Sequence, residues 1–115
     1  MDLIDYSLNN LSSYNSGEWG MAKLVVKFQD VVIKEQPLDK DSVTIGRKEE
    51  NDLCLDNMAI SGHHARIDRT KDIYTLVDLK STNGTFVNGR RVASAVLKPN
   101  DWITIGKHIL YFKEG

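Results

Sequence analysis

The chain reads as an all-β domain, an antiparallel β-sandwich, and three observations lead there. After residue 21, short runs rich in Val, Ile, Thr and aromatic residues alternate with clusters of Asn, Asp, Gly, Lys and Pro. No segment in that part carries a long apolar stripe of 3.6-residue period, the mark of an amphipathic helix. Asn88-Gly89 separates "TFV" from "RRV", and both turn residues accept the positive φ of a type I′ hairpin. Many short strands at this spacing favour a sandwich over other β architectures.

The strands follow in order. KLVVKF (23–28) and VVIKE (31–35) are parted by Gln29-Asp30, and "QPLDKD" leads into SVTIGR (42–47), which closes on Gly-Arg. DLCL (52–55) follows "KEEN", and HARID (64–68) follows the loop "DNMAISGH". "RTKD" separates HARID from IYTLVDL (73–79), and "KSTN" separates that run from GTFVN (84–88). RRVAS (90–94), DWITIG (101–106) and HILYFKE (108–114) complete the set. VTIGR and ITIGK echo each other, but nothing longer repeats, so this is not a repeat protein.

Residues 1–20 differ in composition. They are rich in Asn and Ser, hold no Lys or Arg, and end in Gly before Met21. Ile4, Leu8 and Leu11 fall at helical spacing, yet so short an amphipathic turn is marginal on its own. This stretch is set aside as a leader or tag-like segment, poorly ordered, with the domain spanning 21–115.

Composition narrows the function. With 115 residues the chain suits one domain that needs no disulfide or metal to hold its core. Net charge is −1 with both signs interspersed, which leaves no broad basic footprint for nucleic acid; Arg90, Arg91 and Lys98 give only a hint of one. The single cysteine, Cys54, has no disulfide partner and is expected as a buried, inert thiol. No apolar run nears the roughly eighteen residues of a membrane span, and no secretory signal opens the chain. A cytoplasmic protein without membrane contact or cofactor is the expectation.

Three loops hold the residues that carry chemistry. In "IGRKEEND", Gly46 permits an unusual backbone angle or a close approach and throws Arg47 out at the sheet's end, with Glu49 and Glu50 as local counter-charges. In "AISGHHARI", Ser61 and His64 invite a nucleophile–base reading. There is no G-x-S-x-G elbow, however, and no acid placed to orient a histidine. His63 and His64 are adjacent and point to opposite faces of a strand, so a metal site is not expected; one of them should instead be packed and hydrogen-bonded, holding the loop. In "STNGTFVNG", Asn88-Gly89 is the hairpin turn. Asn83-Gly84 therefore lies in a loop entering it, with Gly84 at positive φ, the Asn83 amide free, and the Ser81 and Thr82 hydroxyls beside it.

"IGR", "SxxH" and "STNGTFVNG", in this order and followed by "LKPNDWITIG", closely resemble the forkhead-associated (FHA) domain family, over about 95 residues from Met21 onward. The resemblance implies a sandwich of about eleven strands, with loops at one end that bind a phosphothreonine peptide. It assigns phosphopeptide binding to Arg47, Ser61, Gly62, Thr82 and Asn83, and loop support to Gly46, His64, Gly84, Asn88 and Gly89. In this reading Arg47 pairs with the phosphate, the Ser61 hydroxyl donates to it, and Asn83 bonds the peptide backbone, while Asn88-Gly89 simply turns the chain. The chemistry agrees. A phosphothreonine carries about −1.5 to −2 charge, which an Arg fork and hydroxyl donors suit.

One departure stands out. The family often places Arg, Lys or Asn after the binding Ser, and here the residue is Gly62, leaving a backbone N–H unless Lys80 or His63 reaches in. Ala59, two residues before Ser61, likewise lacks the charge some relatives use to read the peptide downstream. The leader holds Ser7, Ser12, Ser13 and Ser16 but no Thr, which argues against self-inhibition by that tail. The function expected is a non-catalytic phosphothreonine-reading module in Ser/Thr kinase signalling, its partner a phosphorylated protein or peptide, a kinase or its substrate. The alternative is an FHA-fold scaffold that docks a partner independently of phosphate.

Overall fold

The computed structural model describes residues 22–114, so the leader expected at 1–20 lies outside the described residues. Within them, eleven strands run in chain order: β1 (Ala22–Phe28), β2 (Val31–Pro37), β3 (Ser42–Gly46), β4 (Leu53–Cys54), β5 (Ala65–Thr70), β6 (Ile73–Asp78), β7 (Thr85–Val87), β8 (Arg90–Arg91), β9 (Ser94–Val96), β10 (Trp102–Ile105) and β11 (His108–Glu114). They form a five-stranded sheet in the order β9-β6-β5-β3-β4 and a six-stranded sheet in the order β2-β1-β11-β10-β7-β8. Every pairing is antiparallel except that of β3 with β4, which makes the first sheet mixed.

Period-2 alternation decides which residues are inside. Leu24 and Val26 of β1, Ile103 and Ile105 of β10, and Leu110 and Phe112 of β11 are buried from one sheet. Val43 and Ile45 of β3, Ile67 of β5, and Tyr74 and Leu76 of β6 join the same core from the other. The Tyr74 and Phe112 rings meet across the sandwich with centroids 5.3 Å apart. The β1–β2 turn is made by Gln29 and Asp30, both at positive φ (52° and 63°), without a glycine.

The structure splits one expected strand. The composition of "RRVAS" predicts one continuous strand, but Arg90–Arg91 pairs with β7 in the six-stranded sheet whereas Ser94–Val96 pairs with β6 in the other. Between them the Val92 N–H donates to the Thr85 carbonyl (2.9 Å) and the Ala93 carbonyl accepts from the Asp78 N–H (2.9 Å). The chain thus changes sheets with one backbone bond to each of the two sheets at the crossing. Cys54 also departs from expectation: it is only partly buried. Its position near the open edge of a two-residue strand explains this, and its thiol donates to the Arg47 carbonyl at 3.3 Å.

This topology gathers three loops at one end. β3 finishes at Gly46, where antiparallel β5 starts, with Ile45 opposite Ala65. β6 finishes there too, with Ala65 opposite Asp78. β7 of the other sheet begins alongside, the Thr85 hydroxyl donating to Asp78 Oδ1 at 2.6 Å. The segments 47–52, 55–64 and 79–84 therefore emerge together.

Candidate functional site

The first loop leaves β3 at Gly46, and the reason for glycine there is space. Its φ is not in the left-handed region, but a Cβ would lie 2.2 Å from the Gly62 carbonyl oxygen and 2.7 Å from Asn51 Nδ2. Of the two possibilities read from the sequence, close approach is the one observed. Beyond it, the Arg47 N–H donates to the Ser61 carbonyl (3.0 Å) and the Lys48 N–H to the Gly62 carbonyl (3.2 Å), zipping the first loop to the second. The Arg47 side chain is exposed, and its Nε donates to the Ile60 carbonyl at 3.1 Å. That bond holds the fork by its Nε alone among the described residues. No carboxylate among the described residues forms an ion pair with it; Glu50 lies 3.3 Å from His63 Nε2 instead.

The second loop is held by His64, which is 0% exposed. The Ser61 backbone N–H donates to its Nδ1 (3.1 Å). A backbone N–H only donates, so Nδ1 is the bare nitrogen and Nε2 carries the proton, which it gives to the Gly84 carbonyl at 2.9 Å. Both ring nitrogens are thus committed to backbone, and neither is bonded to the Ser61 hydroxyl. The nucleophile–base pair considered from the sequence is not assembled. The Ser61 Oγ accepts from the Thr82 N–H (3.1 Å), which leaves its own proton free to donate outward.

The third loop is organised by Asp78. Its Oδ1 accepts from the Ser81 hydroxyl (2.5 Å) and the Thr85 hydroxyl (2.6 Å), and its Oδ2 from the Ser81 N–H (3.2 Å). The Ser81 Oγ accepts in turn from the Gly84 N–H at 3.0 Å. Ser81 is therefore buried and turned into the loop, not offered beside Asn83 as its neighbours in sequence suggested. Thr82 and Asn83 are exposed, and Gly84 stands at φ 93°. Nor is the Asn83 amide wholly free: one of its N–H groups donates to the Ala59 carbonyl (2.9 Å), leaving the other and the carbonyl oxygen. Asn88 (φ 50°) and Gly89 (φ 84°) make the hairpin turn. Asn88 does more than turn the chain. Its side chain donates to Asp101 Oδ1 (2.9 Å) and accepts from the Trp102 N–H (3.0 Å), latching the hairpin to β10.

Burial alone would raise the Asp78 pKa, but the hydrogen bonds from Ser81 and Thr85 outweigh it and hold the carboxyl below the ordinary value of 3.8. A carboxyl whose folded pKa is depressed adds stability above its unfolded pKa, and that stability fades as pH falls through the folded value. Asp78→Asn offers one acceptor oxygen in place of two and sets an amide N–H against a donor. It should cost about 1.5–3 kcal/mol at pH 7. The difference from wild type should shrink only below about pH 4. Denaturant melts of both proteins from pH 2 to 7 check this; a gap independent of pH would contradict it.

Of the residues singled out in the sequence, Arg47, Ser61, Gly62, Thr82 and Asn83 come together at this end, with Gly46, His64 and Gly84 beneath them and Asn88-Gly89 one hairpin away. Three contributors were missed. Asn51, 7% exposed, donates through Nδ2 to the carbonyls of Lys48 and Gly62, each at 2.8 Å, and so clamps the first two loops. Asp78 is the second. The third is Lys48, whose stem lies against Gly62: a Cβ there would be 3.0 Å from its Cε and 3.2 Å from its Cγ. Lys48, not Lys80 or His63, occupies the space that Gly62 leaves. Among the described residues, no group of three or more His, Cys, Asp or Glu is arranged to hold a metal ion.

Together these features define a β-sandwich that presents an arginine fork, a serine hydroxyl and an asparagine amide at one end, on three loops of which the second is bonded to both others. The FHA domain family model matches residues 43–106, and the chain belongs to the FHA domain family. It is 40% identical over 96 residues to an oxoglutarate dehydrogenase inhibitor of Corynebacterium jeikeium, covering 84% of this chain and 67% of that protein. Among solved structures it is similar to Mycobacterium tuberculosis EmbR in complex with a low affinity phosphopeptide, with TM-score 0.77 and 33% identity, over 84% of this chain but 25% of that one. An FHA domain studied for phosphothreonine-dependent interactions aligns with TM-score 0.72 and 27% identity, covering 79% of this chain and 95% of that one.

Proposed function

We propose that this domain reads phosphothreonine peptides through Arg47, Ser61, Gly62, Thr82 and Asn83, and that it is an interaction module of Ser/Thr kinase signalling without catalytic activity. The observation that carries this reading is the state of Arg47. Its Nε is tethered to the Ile60 carbonyl and no described carboxylate answers its charge. An exposed guanidinium fixed by its Nε and unpaired among the described residues, with a hydroxyl donor on the bonded neighbouring loop, suits a dianionic phosphate. Asn83, anchored by one N–H to Ala59, keeps a carbonyl and an N–H for the peptide backbone. The family and the phosphopeptide bound by EmbR support the same ligand.

The partner is then a phosphorylated protein, a Ser/Thr kinase or one of its substrates, met in the cytoplasm. No described helix is long and apolar enough to cross a membrane. Three or four charge-assisted bonds of roughly 1.5–3 kcal/mol each must offset several kcal/mol of association cost. Micromolar affinity for a short peptide is the order of magnitude that results.

Arg47→Ala should weaken phosphopeptide binding by at least about 2 kcal/mol, some thirtyfold. Fluorescence anisotropy with a labelled phosphothreonine peptide checks the number. Because Arg47 is exposed, its removal should leave the unfolding midpoint close to that of wild type. Equal binding by the variant, of the unphosphorylated twin as well, would mean that the domain docks its partner elsewhere, independently of phosphate.

A further inference from the structure

The position after Ser61 is a glycine, and the loss of a polar contact there looked like a weakness of the site. The structure gives it another meaning. Gly62 is not at positive φ, so no backbone angle demands glycine. What lies over it is Lys48. A Cβ at position 62 would lie 3.0, 3.2 and 3.3 Å from Cε, Cγ and Cδ of Lys48, so the aliphatic stem runs directly across the glycine. The contact is fixed from below by the Lys48 N–H on the Gly62 carbonyl (3.2 Å). Asn51 Nδ2 then bridges the carbonyls of both residues at 2.8 Å.

We propose that Lys48, its stem seated on Gly62, supplies the second cation of the phosphate site, so that the charge missing at position 62 arrives from the adjacent loop. This rests on the phosphothreonine reading above and names a further binding residue for it. The ammonium is one bond beyond Cε. The residues flanking the contact on the two loops are Arg47 and Ser61, the phosphate ligands of that reading. No described carboxylate pairs with Lys48, whereas the nearby His63 already has Glu50 beside it. Arg47 and Lys48 adjoin in the sequence and no described carboxylate pairs with either, so a dianion bound there meets two cations. A long side chain at 62 would also compete with the Lys48 stem for that space.

The test is titration of a labelled phosphothreonine peptide pool into wild type, Lys48→Met, Lys48→Arg, Gly62→Arg and the double variant Lys48→Ala/Gly62→Arg, at low and high salt. Methionine keeps the stem's bulk and removes the charge, so the unfolding midpoint should hold. Affinity should nevertheless fall about five- to tenfold and depend less steeply on salt. Lys48→Arg should bind within about twofold of wild type, because charge is what the site uses. Gly62→Arg alone should gain little, as it displaces the lysine it would supplement, and the double variant should recover wild-type affinity. If wild type binds in an Arg47-dependent way and Lys48→Met binds equally well with the same salt dependence, the role of Lys48 is refuted and the phosphothreonine reading stands. If wild type shows no phosphate-dependent binding, that reading fails and the role of Lys48 falls with it.

Discussion

Gly46→Ala should destabilise the domain by about 3 kcal/mol or more, an unusually large cost for one added methyl group. The Cβ would stand 2.2 Å from the Gly62 carbonyl oxygen, 2.7 Å from Asn51 Nδ2 and 2.9 Å from the Gly62 carbonyl carbon. Two of the three are backbone atoms, so no rotamer change relieves the clash. The loops have to part, which breaks the Arg47–Ser61 and Lys48–Gly62 backbone bonds and strains that from the Leu55 N–H to the Gly46 carbonyl (2.9 Å). Against a total stability of about 5–15 kcal/mol this is a large share. Phosphopeptide affinity should fall with it, because the bonds lost are those that place Arg47 beside Ser61. Denaturant unfolding measures the first effect. A loss below about 1 kcal/mol would show that the two loops yield more easily than close packing of backbone permits.

His64→Ala should cost roughly 3–5 kcal/mol. The ring is fully buried, so its removal opens a cavity. It also strands the Ser61 N–H and the Gly84 carbonyl, which it joins across 3.1 and 2.9 Å. These two losses can be separated. His64→Phe restores most of the volume but neither hydrogen bond, and should stay destabilised by about 2–4 kcal/mol. Stability near wild type in His64→Phe would reduce the residue to filler and contradict its part in tying the second loop to the third.

Much of this architecture was legible because it is written locally. Alternation marked the strands, and Asn88-Gly89 marked its hairpin without help from distant residues. Arg47, Ser61, Thr82 and Asn83 were legible through the ordered motifs that resemble the FHA family. The misses share a cause: each depends on what the fold brings near. "RRVAS" has the composition of one strand, and only the demands of two separate sheets divide it. Asp78 looks like the end of a strand until Ser81 and Thr85 curl back to it. Asn51 hides in an ordinary polar turn, since its targets are the carbonyls of Lys48 and Gly62, the latter in another loop. Gly62 read alone meant an absent side chain; beside Lys48 it is the seat of one.

The central claim is that these loops read a phosphorylated threonine through Arg47. Titration calorimetry with a degenerate phosphothreonine peptide pool and its unphosphorylated twin, on wild type and Arg47→Ala, tests it most directly. The expected result is micromolar binding that requires the phosphate and weakens at least about thirtyfold when the guanidinium is removed. Binding indifferent to both would contradict the account and move the functional surface away from the loops.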